Sequence, residues 1–219
     1  MVSTKAVEKT VQEIDTKLKL VGGDLVKIEY LENCLKQLLA NDAARFCHIK
    51  LAELYESKLM INLAIKHTGA AAECATTYKD KINLYMKEIN LLIRAGDYMN
   101  IDRPFKKAMV GASNAEKEMV KQYLRTEFFK QAEFYEKKQN NRKAAEIYTR
   151  IMELSVVNDD ERREIMKKLA VLNNKLGKIR ESMNYENMST KPIEKRKSRD
   201  DDGQEVRRVS YEDLGIDFS

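Results

Sequence analysis

The sequence is poor in the residues that interrupt a helix. Of its 219 residues only 8 are glycine and 2 are proline, so few positions force the backbone out of a helical conformation. It also lacks runs of alternating β-branched residues between turn-forming pairs, which are typical of strands. Alanine, leucine, methionine, lysine and glutamate, which favour helix, are plentiful. The composition therefore predicts an all-α protein.

Few side chains suited to catalysis or metal binding are present. The chain has two histidines, His48 and His67, and three cysteines, Cys34, Cys47 and Cys74. Neither set has the spacing of a zinc or redox motif, and no phosphate-binding loop or nucleophile elbow occurs. We interpret the cysteines as buried hydrophobic residues in a reducing compartment and the histidines as solvated or hydrogen-bonded structural residues. We therefore expect no enzyme activity, no metal and no cofactor.

Long hydrophobic runs are missing as well. No window approaches 18 apolar residues, the length of a membrane-spanning helix, and residues 1–10 lack the apolar core of a signal peptide. We expect a soluble, cytoplasmic protein. The formal net charge is +5, and residues 188–219 hold seven Lys and Arg against eight Asp and Glu. The positive excess thus lies in residues 1–187, which permits contact with nucleic acid or an anionic surface without requiring it.

An apolar stripe runs through the first part of the chain. Apolar residues recur with the spacing of one helix face at Val7, Val11, Ile14 and Leu18. Gly22 and Gly23 interrupt the stripe, and two adjacent glycines cost a helix about 2 kcal/mol relative to alanine. We predict a helix over 2–20, a break, and a second helix from Asp24, as its N-cap, to about Ala40. Residues 1–40 would then form a helical hairpin that packs on the rest, and one long coiled-coil helix is the alternative.

Turn and capping residues divide the following part into short helices. The predicted helices cover about 42–58, 60–77, 79–95, 98–110, 114–138, 142–156, 159–176 and 178–187. Ser113 and Glu116 have the spacing of a capping box. Pro104 predicts either a kinked helix or a late start with Asp102 as the N-cap. The connections are two to four residues long, as helix hairpins require.

Residues 188–219 differ in character from the rest. A basic block at 195–199, three consecutive aspartates and few apolar residues predict a disordered, charged segment. Residues 207–210 (RRVS) have the form of a basophilic kinase site, which makes Ser210 a candidate phosphorylation site. Either a short binding motif or a solvated end accounts for the apolar residues that lie among acids at Leu214, Ile216 and Phe218.

Four segments repeat one spacing of small, aromatic and turn residues. Each is counted from an anchor residue, and the anchors are Ala52, Ile89, Ala132 and Ala170. A Tyr, Leu or Asn follows three residues later, a Gly follows seven residues later in two segments, and a small residue follows after 12 or 19. Antiparallel helices approach closely where small residues meet, and one hairpin cannot cover its own apolar face. The repeat therefore predicts stacked helix hairpins over 41–187.

This pattern resembles the tetratricopeptide repeat family over about residues 42–187. The best-matched positions are Ala52, Tyr55, Ala64 and Ala71, and Ala132, Tyr135, Ala144 and Tyr148. The resemblance implies a right-handed solenoid of antiparallel helix hairpins. The chain departs from the family because it has no Trp, no closing Pro in any unit, and repeats longer than about 34 residues. KLAELYE (50–56) and AAECATTY (71–78) also look like the soluble NSF attachment proteins, irregular helical-hairpin arrays that adapt an ATPase to membrane fusion complexes.

These resemblances imply a non-enzymatic scaffold or adaptor. Such a protein would hold a peptide or helix of a partner protein in a concave groove, with aromatic and Leu anchors supplying affinity and Lys and Arg selecting acidic partners. The periodicity places five candidate partner-binding residues on the first helices of the repeats: Tyr85, Asn90, Phe129, Glu133 and Lys167.

Two alternative functions remain open. The first is an RNA-binding or ribosome-associated protein that uses the positive charge of residues 1–187 and the block at 195–199. Aromatic residues beside basic ones at Tyr123 and at 128–130 could stack on bases, although we interpret them as packing residues. The second is a vesicle-fusion-type adaptor for an ATPase.

Overall fold

The computed structural model describes residues 6–190, and every regular element in that range is helical. This confirms the predicted all-α class. The segment predicted to be disordered, 188–219, starts too early, because residues 188–190 still belong to the last helix. The rest of that segment, with the basic block 195–199 and Ser210, lies outside the described residues. The α-helices are α1 (Val11–Leu20), α2 (Asp24–Leu35), α3 (Asn41–Ser57), α4 (Ile61–Cys74), α5 (Tyr78–Ala95), α6 (Asp102–Met109), α7 (Asn114–Lys137), α8 (Asn141–Glu153), α9 (Asp159–Lys175) and α10 (Ile179–Thr190).

The break between α1 and α2 lies where the two glycines predict it. Gly23 has a φ of 80° and is the N-cap of α2, so Asp24 is the first helical residue and the prediction that it caps the helix is wrong. The positive φ turns the chain and excludes one continuous coiled-coil helix. α1 begins at Val11, later than predicted, because Thr10 and Glu13 form a capping box that sequence reasoning missed. α2 ends at Leu35, five residues before the predicted end.

Helix α6 begins late, as one of the two readings of Pro104 predicts. A 3₁₀ turn at Tyr98–Ile101 precedes it, and Pro104 lies in its first turn, where a missing N–H costs no hydrogen bond. The N-cap is Ile101 and not Asp102. The predicted capping box of α7 is confirmed, because Glu116 N donates to Ser113 Oγ at 3.3 Å and Ser113 N donates to Glu116 Oε2 at 2.8 Å.

One backbone turn recurs in all four predicted repeats. The residue seven positions after the anchor has a left-handed φ in each, with values of 59°, 77°, 57° and 73° at Leu59, Gly96, Gln139 and Gly177. The next residue donates its N–H to the carbonyl three positions after the anchor, at 2.9 Å in every repeat, in the pairs Met60–Tyr55, Asp97–Leu92, Asn140–Tyr135 and Lys178–Asn173. The chain is therefore a helical repeat in its backbone, including the two units that lack the glycine.

The two side-chain-bearing turns lead to a stability prediction. A left-handed conformation costs a residue with a side chain about 1 kcal/mol more than it costs glycine. We expect Gln139→Gly to raise the free energy of unfolding by about 0.5–1 kcal/mol, measured by urea denaturation. The matched control is Gln122→Gly, in the exposed middle of α7, which should lower it by a similar amount. A loss of stability at Gln139 would contradict the backbone argument.

From α2 onward, each helix packs on the next one in the sequence, whereas α1 packs on α3 and not on α2 to a comparable extent. α3 packs on α4, α4 on α5, α5 on α6 and α7, α7 on α8, α8 on α9, and α9 on α10, while α1 and α2 both contact α3. All four anchors are at most 8% exposed, which confirms their predicted burial. In the last repeat Ser182 Oγ donates to the carbonyl of the anchor Ala170 at 2.8 Å. The small residues of the repeat thus lie where paired helices meet.

Candidate functional site

Polar contacts join the odd-numbered helices α3, α5, α7 and α9 side by side. Each contact connects one of these helices to the next odd-numbered one. The pairs and their atomic separations are Arg45–Asp80 (2.6 Å), Asn90–Glu127 (2.8 Å), Arg125–Glu161 (3.3 Å) and Lys168–Glu136 (3.4 Å). Glu56 of α3 adds a contact to α5 because it pairs with Arg94. The first helices of successive repeats therefore adjoin one another along the chain.

The exposed residues of α7 lie between its contacts to α5 and its contacts to α9. Glu127 contacts α5 on one side, and Arg125 and Glu136 contact α9 on the other. Between them runs an exposed stripe with helical spacing, formed by Glu118, Gln122, Thr126, Lys130, Glu133 and Lys137. A similar exposed stripe runs along α9 at Asp160, Glu164, Lys167, Val171 and Asn174. The corresponding stripe of α5 is formed by Asn83, Lys87, Asn90 and Arg94, of which Lys87 and Asn90 are half-buried. We call the three stripes together the odd-helix face.

The structure separates the five predicted partner-binding residues. Asn90, Glu133 and Lys167 lie on the odd-helix face. Phe129 is half-buried, and its ring contacts the ring of Tyr148 edge-on, with 6.2 Å between the ring centroids.

Tyr85 lies in the core and not on the odd-helix face. It is only 4% exposed, and burial raises the pKa of its hydroxyl to about 12. That hydroxyl donates to Glu73 Oε1 at 3.3 Å. The ring of Tyr85 is therefore not offered to a partner, and periodicity misplaced it because this helix is buried around most of its circumference.

The odd-helix face is polar and carries charges of both signs. Val171 is the one apolar member of its three stripes as defined above. Lys130 pairs with Glu127 at 2.8 Å, and the same Glu127 accepts the hydrogen bond from Asn90. The face thus offers hydrogen-bond donors and acceptors and ion-pairing groups, whereas the aromatic anchors expected from the sequence are half-buried or fully buried.

The aromatic residues beside basic ones are packing residues. Phe128 has no exposed surface, and its ring centroid lies 5.9 Å from that of Tyr98 in the core. Tyr123 is half-buried, and burial raises the pKa of its hydroxyl to about 12. Phe128 is therefore not available to stack on a nucleic-acid base.

The two histidines form a hydrogen-bonded pair between α3 and α4. His48 Nδ1 and His67 Nδ1 are 3.0 Å apart. His67 stacks on the ring of Tyr55, whose hydroxyl donates to Glu32 Oε1 at 2.7 Å. Burial, together with the charges of His67 and Lys66, lowers the pKa of His48 to about 4. Burial also lowers the pKa of His67, which Lys66 lowers further and Glu32 opposes. Among residues 6–190 no group of three or more potential ligands could hold a metal ion.

The histidine pair predicts a pH-dependent stability. Because both pKa values are lower in the folded state than the unfolded value of about 6.5, the pair's full contribution is present above pH 6.5 and is lost as pH falls toward 4. We expect the wild type to lose about 2 kcal/mol of unfolding free energy between pH 7.5 and 5, a figure reduced for the partial exposure of the rings. The variant His48→Gln/His67→Gln, which has no histidine, should lose less than half as much. Equal losses measured by urea denaturation would contradict the assignment.

Two buried charges escaped the sequence reasoning. Glu88 of α5 is 5% exposed, and its Oε2 has no hydrogen-bond partner among the described residues. Burial raises its pKa, and the positive charges of Arg103 and Lys107 oppose that rise. A Cβ at Gly69 of α4 would lie 3.1 Å from both carboxyl oxygens of Glu88, so glycine allows these helices to approach. The second buried charge is Arg150 of α8, which is 8% exposed.

The comparisons with known proteins leave the chain without an assigned family. No protein-family model matches the sequence, and the search of curated proteins found no match. The likeness to tetratricopeptide repeats and to soluble NSF attachment proteins therefore depends on the residue pattern. In the described range no helix combines the length and the apolar character needed to cross a membrane.

Proposed function

We propose that this protein is a non-enzymatic scaffold that binds a segment of a partner protein on the odd-helix face. The observation that carries the proposal is the turn that recurs at the same position in four hairpins. A constant turn gives each repeat the same geometry, and the polar contacts between odd-numbered helices are those expected where first helices stack. Repeats arranged in this way form an extended surface, which is how helical-repeat proteins bind partners.

The arrangement we propose is a right-handed solenoid of the tetratricopeptide type. It is supported by the order of the packing, because each helix from α3 onward contacts those next to it in the sequence. In a solenoid of helix pairs the first helices line one surface and the second helices line the other. The odd-helix face then becomes the inner surface, with α4, α6, α8 and α10 behind it.

The chemistry of the odd-helix face indicates how a partner segment would bind. Asn90 presents an amide whose Nδ2 also donates to Glu127, Glu133 presents a carboxylate and Lys167 an ammonium group, one on each of α5, α7 and α9. A segment lying across the three helices would meet a neutral donor and acceptor, a negative charge and a positive charge in turn. Such polar contacts give register and orientation, and hydrogen bonds to charged groups add about 1.5–3 kcal/mol each.

The proposal is tested with a matched pair of triple variants in the full chain. The first, Asn90→Ala/Glu133→Ala/Lys167→Ala, changes the odd-helix face. The second, Asn62→Ala/Glu146→Ala/Lys66→Ala, removes the same side-chain types from exposed positions on α4 and α8. Each variant and the wild type are used as bait in lysate of the source cell, with and without nuclease, at 50 and 300 mM salt.

The expected result is one defined protein that survives nuclease treatment and is retained by the wild type and the α4/α8 variant. The odd-helix variant should lose it. Loss from both variants, or from neither, would contradict the odd-helix face as the binding surface. Bound material that disappears with nuclease and weakens steeply with salt would instead identify a nucleic-acid binder.

A further inference from the structure

The hairpin α9–α10 has an exposed apolar face. Val171, Ile179 and Met183 are 55%, 54% and 58% exposed. Ser182 and Ala170 touch and mark the line along which the two helices meet. In a pair of antiparallel helices, the residues one position after the two contacting residues point to the same side of the pair. Val171 follows Ala170 and Met183 follows Ser182, so both point to one side, and Ile179 lies one helical turn before Met183. We call these three residues the end face.

In the earlier repeats a neighbouring helix covers the position that is equivalent to Met183. Met183 lies 13 residues after its anchor, and the equivalent positions in two earlier repeats are Ile65 and Ala145. Ala145 is 9% exposed and shares a core cluster with Ile165 and Leu169 of the following α9, and Ile65 packs against the same cluster. The following odd-numbered helix thus covers this position in the earlier repeats. In the described range α10 packs on α9 and on no other helix to a comparable extent.

The charges around the end face are unevenly distributed. Lys175, Lys178 and Arg180 are exposed beside the α9–α10 turn. One exposed acid, Glu181, lies among them in the first turn of α10, so these four residues together carry a charge of +2. The exposed acids Glu164 and Glu186 lie farther from the turn, 11 residues before Lys175 and six residues after Arg180. A segment that binds beside the turn must therefore complement positive charges around an apolar surface.

We propose that residues 211–219 of this same chain dock on the end face. This segment (YEDLGIDFS) has three acidic residues and no basic ones, with apolar residues at alternate positions, namely Leu214, Ile216 and Phe218. Its acids match the lysines and arginine at the turn, and its apolar residues match the uncovered Val171, Ile179 and Met183. Docking covers the open end of the array, which repeat proteins otherwise cover with a polar terminal unit.

The length of the connecting chain allows this contact. Twenty residues separate Thr190, where α10 ends, from residue 211. The end-to-end distance of a random coil of 20 residues averages roughly 25 Å, and α10, with 12 residues, is about 18 Å long. Residues 211–219 therefore reach the turn end of the hairpin, and tethering gives an effective concentration of about 1 mM or more.

Amide hydrogen exchange of the full chain tests the proposal with two matched variants. In Leu214→Asp/Phe218→Asp the docking segment loses its apolar contacts. In Val206→Asp/Val209→Asp the same chemical change is made outside the segment. We expect exchange in α10 to accelerate about tenfold or more in the first variant only, with unchanged helix content by circular dichroism. Adding Met183→Asp should remove the difference between the first variant and its parent.

The other possible results overturn the proposal in distinguishable ways. If exchange in α10 is the same in the wild type and in Leu214→Asp/Phe218→Asp, residues 211–219 do not dock. If protection rises with protein concentration and light scattering shows a dimer, a second copy covers the end face. If both variants accelerate exchange equally, the added charge acts without a specific contact. The end face shares Val171 with the odd-helix face, but these measurements are made without a partner protein and do not depend on the binding proposed there.

Discussion

Arg150→Met is expected to lower the free energy of unfolding by about 2–3 kcal/mol. The guanidinium of Arg150 makes three contacts: one to Tyr98 between α5 and α6, one to Asp102 at the start of α6, and one to Glu153 on α8 itself. Its Nε donates to the Tyr98 carbonyl at 3.1 Å, its Nη2 lies 2.7 Å from Asp102 Oδ1, and its Nη1 lies 2.8 Å from Glu153 Oε2. The contacts of Nε and Nη1 are hydrogen bonds, which contribute about 1.5–3 kcal/mol each when one group is charged, whereas Nη2 forms an ion pair with Asp102 but no hydrogen bond. The sum is reduced because the side chains of Asp102 and Glu153 are about half exposed and water replaces the guanidinium there.

Two further variants separate the geometry of Arg150 from its charge. Arg150→Lys keeps the charge, but a lysine ammonium group lacks the planar fork of donors with which the guanidinium reaches three partners. We therefore expect Arg150→Lys to lower the free energy of unfolding, but by less than Arg150→Met does. Arg142→Met removes an exposed arginine from the same helix and should change stability by less than about 0.5 kcal/mol. Equal effects of Arg150→Met and Arg142→Met in urea denaturation would contradict the structural role of Arg150.

Ala132→Leu is expected to destabilise the fold by about 3 kcal/mol. Ala132 is the anchor of the third repeat and has no exposed surface. It shares the largest hydrophobic cluster with Ala144 and Tyr148 of α8, the helix that pairs with α7. Three additional carbon atoms at this position force α7 and α8 apart or displace Tyr148, and overpacking of a dense core typically costs about 1–3 kcal/mol.

The matched control for Ala132→Leu is Ala115→Leu. Ala115 lies on the same helix, α7, but is exposed. Alanine and leucine have similar helix propensities, so the substitution there should change stability by less than about 0.5 kcal/mol. If Ala132→Leu proves as harmless as Ala115→Leu in denaturation, the anchors do not mark the close approach of paired helices.

Most of the helices could be predicted because their boundary signals are local. The capping box of Ser113 and Glu116, the left-handed glycines Gly96 and Gly177, and Pro104 in a first turn all act within a few residues of themselves. The repeat register could be predicted because small anchors recur at similar spacings. Its strongest confirmation, the left-handed turn at Leu59 and Gln139, has no local residue signal, because tertiary packing imposes a conformation that neither residue favours.

The candidate site was only partly predictable. Periodicity correctly placed Asn90, Glu133 and Lys167 on one face of their helices, because a residue on a helix face keeps its spacing whatever lies opposite, and their role in binding stays a prediction. It misplaced Tyr85, since the number of helices around α5 is a tertiary property. Glu88 and Arg150 were missed for the same reason. A charged residue within a helix predicts an exposed face by default, and only the positions of neighbouring helices show that these two are buried.

The most direct test of the account is the dissociation constant of the captured partner protein, measured by isothermal titration calorimetry. The titrations compare the wild type, the variant Asn90→Ala/Glu133→Ala/Lys167→Ala and the control variant Asn62→Ala/Glu146→Ala/Lys66→Ala. Binding on the odd-helix face predicts a dissociation constant raised tenfold or more in the first variant, which corresponds to about 1.4 kcal/mol or more, and changed less than about twofold in the control. A control variant that binds as weakly as the odd-helix variant, or an odd-helix variant that binds like wild type, would contradict the central claim.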